Sequence, residues 1–193
     1  MNIYFFGGSF DPPHKGHLAI IQSCAKNSQQ FIIMPTKQSP LKDNNPVASG
    51  KHRIRMLELL IDNMEFPIII DDWEINNSMS NYTYDTIKYL QIKYSGNHLL
   101  MVIGRDQLTH FDEWKNYRKI MDMVEIVVFN RSQRKYKQIK GMKISWIQDF
   151  DTNISSTDIR KKIAQGNLPV KELTPQILEY IQHNKLYGIR NDY

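Results

Sequence analysis

The chain has 193 residues, of which 41% are hydrophobic and 23% charged, proportions that fit a folded core and exclude a disordered polymer. No run approaches the ~18 consecutive apolar residues of a membrane helix, and Cys24, the single cysteine, excludes an intrachain disulfide. A formal charge of +5 points to an anionic partner without naming it.

The apolar run Ile3–Phe6 reads as a short buried strand. It stops at Gly7, too soon for a signal sequence, so a reducing, cytoplasmic setting is expected. Helix periodicity follows over Gly16–Lys26, with Leu18, Ile20 and Ile21 on one side. Phe31–Met34 is the second strand, and Pro35, Pro40 and Pro46 mark the loop Thr36–Pro46 after it. Ser49 is an N-cap candidate for a helix running to about Asn63, with Ile54, Leu57 and Ile61 as its buried stripe. Phe66–Ile70 is the third strand. A helix starting at Asn81 or Thr83 carries Ile87, Leu90 and Tyr94 at helical spacing.

His98–Ile103, almost wholly apolar, is expected to be a central strand. A helix over Glu113–Met121 leads to a fifth strand, Glu125–Phe129, and Lys143–Ile147 is a candidate for a sixth. Two helices close the chain, Ser155–Gln165 with Gly166 as its stop and Thr174–Asn184. Alternating strands and helices without a linker or repeat predict one α/β domain over residues 1–193, a doubly wound Rossmann-like parallel sheet with helices on both faces and a C-terminal helical segment. In such sheets the ligand lies at the carboxyl ends of the strands. The loops to watch are therefore Gly7–His17, Thr36–Pro46, Asp71–Thr83, Gly104–Trp114 and Asn153–Arg160.

The first of these loops has the strongest chemistry. Gly7 and Gly8 allow a sharp turn and close approach to a ligand, and Ser9, Phe10, Asp11, Pro12 and Pro13 lead to His14-Lys15-Gly16-His17 at a helix start. A helix N-terminus favours anions, so two imidazoles there suit a phosphoryl group. The same His-x-x-His spacing can ligate zinc, but no cysteine lies nearby and no acid separates the pair. The second signal is Ile154-Ser155-Ser156-Thr157-Asp158-Ile159-Arg160. Its three hydroxyls open a helix, and Arg160 stands one turn in, able to clamp a polyphosphate with a fork of donors.

The run Gly7–His17 resembles the signature of the (H/T)-x-G-H nucleotidyltransferase superfamily, and its Asp-Pro-Pro form resembles the bacterial nicotinate-nucleotide adenylyltransferases. The Ile154–Arg160 segment is similar to the Ile-Ser-Ser-Thr-x-Ile-Arg motif of the same superfamily, where it binds ATP phosphates. Lys42 resembles the basic residue of that family's Pro-Pro-His-Lys segment, with Leu41 in place of the histidine. Asn81–Ile87 resembles its Ser-Tyr-Thr-x-Asp-Thr-Leu stretch. Gly104-Arg105-Asp106-Gln107 with Trp114 resembles its Gly-x-Asp segment and downstream Trp, and Lys115 stands where an aromatic is common. Arg131 also fits.

The resemblance implies an adenylyltransferase that joins nicotinate mononucleotide to the AMP part of ATP, giving deamido-NAD and pyrophosphate. It implies His14, His17, Lys42 and Arg160 as the phosphate-handling groups. Gly7, Gly8, Ser9, Phe10, Gly104, Asp106, Ile154, Ser155, Ser156 and Thr157 join His14, His17 and Arg160 around ATP. Lys42, Thr83, Trp114 and Asp106 border the mononucleotide. Mg²⁺ would be held by ATP, with no dedicated protein ligands. Other acceptors with the same chemistry, nicotinamide mononucleotide or phosphopantetheine among them, stay open, as does a non-catalytic nucleotide- or RNA-binding module. The support for the last is the basic stretch Arg131–Lys143 with Tyr136 and Trp146 nearby, though a solvated face accounts for it more simply. Nucleic acid and membrane are not the expected partners, and a homo-oligomer is compatible with the sequence.

Overall fold

A computed structural model describes residues 1–38, 45–77, 82–129, 139–147 and 154–188. Six parallel strands run through it: β1 (Asn2–Gly8), β2 (Gln30–Pro35), β3 (Ile68–Ile70), β4 (His98–Gly104), β5 (Glu125–Phe129) and β6 (Ile144–Ile147). Their order is β3-β2-β1-β4-β5-β6. The chain therefore winds outward from β1 in one direction and from β4 in the other, and the reversal lies between these two neighbours. That is where a doubly wound sheet opens a crevice at its carboxyl edge.

The strands alternate their side chains between two cores, which explains why their sequences are apolar without a gap. Phe6, Phe31, Ile33, Leu100, Val102, Val127 and Phe129 pack on one face, and Phe5, Ile32, Met34, Met101, Ile103, Ile126 and Val128 on the other. The first face is covered by α1 (Lys15–Ala25), α2 (Gly50–Ile61), α7 (Ser156–Ala164) and α8 (Pro175–His183), and the second chiefly by α4 (Thr83–Lys93) and α6 (Tyr117–Met123). Among the described residues no helix is long and apolar enough to cross a membrane.

Several boundaries depart from the periodicity. β3 begins at Ile68 rather than Phe66, because Pro67 has no N–H to give the ladder; its carbonyl still accepts from Phe31 N at 3.0 Å. The helix expected over Glu113–Met121 starts only at Tyr117. Asn116 adopts a left-handed φ of 61°, and Phe111–Glu113 forms a separate 3₁₀ turn before it. Two short helices, α3 (Trp73–Asn76) and α5 (Arg105–Thr109), show no period because each is about one turn long. Ser49 does cap α2, accepting from His52 N at 3.4 Å. The buried face of α2 is Arg53, Met56, Leu57 and Leu60, whereas Ile54 and Ile61 are half-buried. The helix is turned toward an inward-facing guanidinium, which an apolar stripe cannot reveal.

Candidate active site

The loop between β1 and α1 sits at the reversal point. Phe10 takes a left-handed φ of 49° and is 2% exposed, so its ring drops into the core, edge-on to Phe6 at 5.4 Å and to His17 at 5.0 Å. A Cβ on Gly8 would come within 3.0 Å of that ring, which explains the glycine there; nothing lies within 4 Å of one on Gly7. The Phe10 side chain is thus a floor for His17, and only its backbone is left to face the loop's open side.

His14 is the N-cap of α1, whose first turn contains no acid to offset the helix dipole. The rings of His14 and His17 stack with centroids 3.7 Å apart. His14 N–H donates to His17 Nδ1 at 3.2 Å. That nitrogen is therefore unprotonated, and the proton of a neutral His17 ring resides on Nε2. The His14 ring is 1% exposed and backs the more accessible His17 ring.

The N-terminus of α7 is fastened to the same loop. Ser156 Oγ donates to Pro12 O at 2.9 Å, and Arg160 Nη1 donates to Asp11 O at 2.6 Å. Arg160 Nη2 donates to Thr157 Oγ1 at 3.3 Å, and the arginine side chain is 27% exposed. Ser155 is the N-cap, and Ile154 packs against the first core, so Ile154 is an anchor whose backbone leads into the helix. Two segments from opposite ends of the sequence thus meet: Gly7–His17 and Ser155–Arg160 share hydrogen bonds.

The centre of this junction is Asp11, 2% exposed. Its Oδ2 accepts from Val47 N at 2.7 Å, and its Oδ1 accepts from Ala48 N at 3.1 Å and from Tyr187 Oη at 2.8 Å. Arg160 Nη1 lies 3.8 Å from Oδ2. Arg53 Nη1 reaches the loop from α2, donating to Ser9 O at 2.6 Å. Val47 and Ala48 end the loop after β2. Lys42, in that loop, lies outside the described residues, as do Asn81 and Arg131.

On the other side of the reversal, β4 ends at Gly104, which faces Phe129 of β5. A Cβ there would collide with the Asp106 carboxylate, so glycine lets that exposed side chain fold over the strand end. Trp114 is half-buried and tilted on Phe111 with centroids 5.2 Å apart. Thr83 is the first residue of α4 and is half-buried. Lys115 closes the distance between these two segments: its Nζ sits 3.9 Å above the Tyr82 ring, at the N-cap of α4. Lys115 thus ties the segment that follows Trp114 to the start of α4.

A family model described as cytidylyltransferase-like matches residues 5–162. A Rhodopirellula baltica protein named probable nicotinate-nucleotide adenylyltransferase is 32% identical, over 97% of this chain and 94% of its own length. One of the same name from Chlorobium phaeobacteroides is 33% identical, over 97% of this chain and 100% of its own. The chain belongs to the nicotinate-nucleotide adenylyltransferase family.

The fold of this adenylyltransferase-family chain is also that of Plasmodium falciparum nicotinic acid mononucleotide adenylyltransferase complexed with NaAD. The TM-score is 0.85 at 21% identity, with 98% of each chain covered. The same Plasmodium protein complexed with APC gives 0.82 at 22%, again over 98% of each chain.

The family motifs do not disclose every group that shapes the site. Arg53 lies off the apolar stripe read for its helix at Ile54, Leu57 and Ile61, so that stripe gives no signal for it. Tyr187 carries none, being 176 residues from its partner Asp11. Glu74 of α3, for which the sequence leaves a structural and a ribose-facing place equally open, is buried and accepts from Thr86 Oγ1 of α4 at 2.5 Å. Burial raises its pKa from 4.5 to about 7; the Thr86 hydrogen bond opposes the rise and the Asp71 charge adds to it. The folded chain therefore holds this proton more tightly than the unfolded one. Its contribution to stability is full below pH 4.5 and is lost as pH climbs toward 7. Glu74→Gln, which cannot ionise, should gain in Tm relative to the parent protein as pH is raised from about 5 to about 8. A Tm difference that stays flat across that interval would contradict the assignment.

Proposed function

We propose that the chain transfers the AMP part of ATP to nicotinate mononucleotide, forming deamido-NAD and pyrophosphate. The observation that carries this reading is the junction of α1 and α7 at the carboxyl end of β1. There His17, which accepts from His14 N–H, and Arg160, which donates to Asp11 O, meet on one loop although far apart in sequence, with Ser156 fastened to Pro12 O beside them. The near full-length likeness to relatives bearing the adenylyltransferase name supports it.

In this reaction a 5′-phosphate oxygen of the mononucleotide attacks the α-phosphorus of ATP. One P–O bond forms to that oxygen, the bond from the α-phosphorus to the bridging oxygen breaks, and pyrophosphate leaves with the electron pair. The attacking phosphate is already ionised near neutral pH, so no general base is needed, and catalysis consists of alignment and charge stabilisation. His17 donates from Nε2 to the α-phosphate, since its Nδ1 is occupied by His14 N–H. Lys42 would act on the same phosphate. Arg160, with His14 behind His17, serves the β- and γ-phosphates. Ser156 already donates to Pro12 O, which leaves Ser155 and Thr157 as the hydroxyls for terminal oxygens. Asp106 would accept from ribose or adenosine hydroxyls.

Mg²⁺ would be held mainly by ATP and would neutralise part of the phosphate charge. Asp11, the carboxylate of the β1–α1 loop, already accepts from Val47 N, Ala48 N and Tyr187 Oη, which supports leaving the ion to ATP.

Thr83 and Trp114 would border the pyridine ring. Nicotinate and nicotinamide differ by carboxylate against amide, so a few aimed donors decide between them. The test is to supply the purified protein with ATP, Mg²⁺ and either mononucleotide, following pyrophosphate and dinucleotide. Higher kcat/KM for the nicotinate form is expected. Preference for the amide or for phosphopantetheine would reassign the acceptor, and absence of pyrophosphate release would favour a binding module. Trp114→Ala should raise the KM for the mononucleotide several-fold more than that for ATP. Equal changes in both would make Trp114 only a packing anchor for Phe111.

A further inference from the structure

The 3₁₀ turn Leu186–Gly188 follows α8 and belongs to none of the loops that strand order brings to the crevice, yet it supplies a donor to the phosphate junction. Its backbone is costly: Lys185 and Tyr187 both take left-handed φ values, 50° and 60°, which side chains rarely adopt. Tyr187 is 8% exposed, and its hydroxyl donates to Asp11 Oδ1 at 2.8 Å. Burial, followed by the Asp11 charge and this hydrogen bond, pushes the phenol far above its ordinary range, so it is a neutral donor.

The charges around Asp11 make that neutrality matter. Two guanidinium groups, Arg53 and Arg160, serve one carboxylate and its loop. Arg160 meets the backbone carbonyl of Asp11 at 2.6 Å, while its distance to Oδ2 is 3.8 Å. The carboxylate is held off a closer ion pair by donors on both oxygens: Val47 N on Oδ2, Ala48 N and Tyr187 Oη on Oδ1. A carboxylate that lost the phenol could rotate toward Arg160 and tie up the positive charge meant for an anion.

We propose that Tyr187 is a positioning residue of the triphosphate subsite, holding Asp11 so that the Arg160 guanidinium stays available to a polyphosphate. The C-terminal turn is thereby coupled to ATP binding without touching ATP. This rests on the reading of Arg160 given under the proposed function.

Tyr187→Phe keeps the ring and its packing and removes only the donor. It should raise the KM for ATP about tenfold, the usual scale for one hydrogen bond to a charged group, with the mononucleotide KM within about twofold of the parent. Arg160→Ala should raise the ATP KM further, and the double variant should be no worse than Arg160→Ala alone, because the phenol acts through the guanidinium. Direct ATP binding by calorimetry should follow the same order. A Tyr187→Phe protein that lowers Tm alone, or shifts both KM values equally, would overturn the proposal while Arg160→Ala still affects ATP. Additive effects in the double variant would overturn it too. If Arg160→Ala leaves ATP binding unchanged, the subsite reading itself fails and the proposal goes with it.

Discussion

His17→Ala is expected to lower kcat by about 10²–10³-fold, the range for removal of one preorganised donor to a developing charge. The ring's Nδ1 is committed to His14 N–H at 3.2 Å, so its proton-bearing nitrogen is Nε2, and the stacked His14 ring and the edge of Phe10 fix its plane. Such a donor needs no reorganisation as charge builds on the transferring phosphoryl group. The ring is half-buried, and its removal should cost about 1–2 kcal/mol of stability, so the variant should fold. His17→Gln, whose amide can bring an N–H near the Nε2 position, should recover part of the lost rate. A purified, folded His17→Ala protein with parental turnover would remove His17 from the chemistry.

Asp11→Asn should be strongly destabilising although it is isosteric. Every described neighbour of the Asp11 carboxylate is a donor: Val47 N, Ala48 N, Tyr187 Oη and the Arg160 guanidinium. An amide must therefore set its own NH₂ against one of them, and it also removes the charge that Arg160 faces. Breaking a buried ionic cluster from one side typically costs about 3–5 kcal/mol, which for a chain of this length lowers Tm by roughly 10 °C. Thermal denaturation of Asp11→Asn beside Arg160→Ala reads this directly. The asparagine variant should fall further, because it disturbs three segments where the alanine variant disturbs one. Equal or negligible losses would show that the carboxylate is not what joins β1–α1, the loop after β2 and the C-terminal turn.

Much of the architecture is written locally. Glu125–Phe129 is a strand at the residues its apolar run suggests, and β1, β2 and β4 contain their predicted runs with one or two more residues at an end. These segments are buried on both faces of the sheet, so the signal has no alternation to misread. Ser49 and Thr174 mark their helix starts because a hydroxyl accepting from the backbone is a short-range device. Where local signal is weak the reading drifts. Asparagine tolerates the left-handed φ of Asn116 that delays α6 but does not require it, and one-turn helices such as α3 have no period to detect.

The chemical parts of the site were likewise legible: two imidazoles at a helix start and a hydroxyl-rich turn with an arginine are contiguous in sequence. How they are held together was not. Asp11 is 149 residues from Arg160 and 176 from Tyr187, and no pattern in either segment specifies the other. Nor does periodicity show that Arg53 turns inward to Ser9 O or that Lys115 settles on Tyr82. Sequence alone determined which runs become strands, the Ser49 and Thr174 caps and the family, because hydrophobic runs, capping hydroxyls and contiguous motifs act over a few residues. Only the folded sheet decided which oxygen each donor meets, because its reversal between β1 and β4 brings distant loops to one edge, where buried charges must find partners.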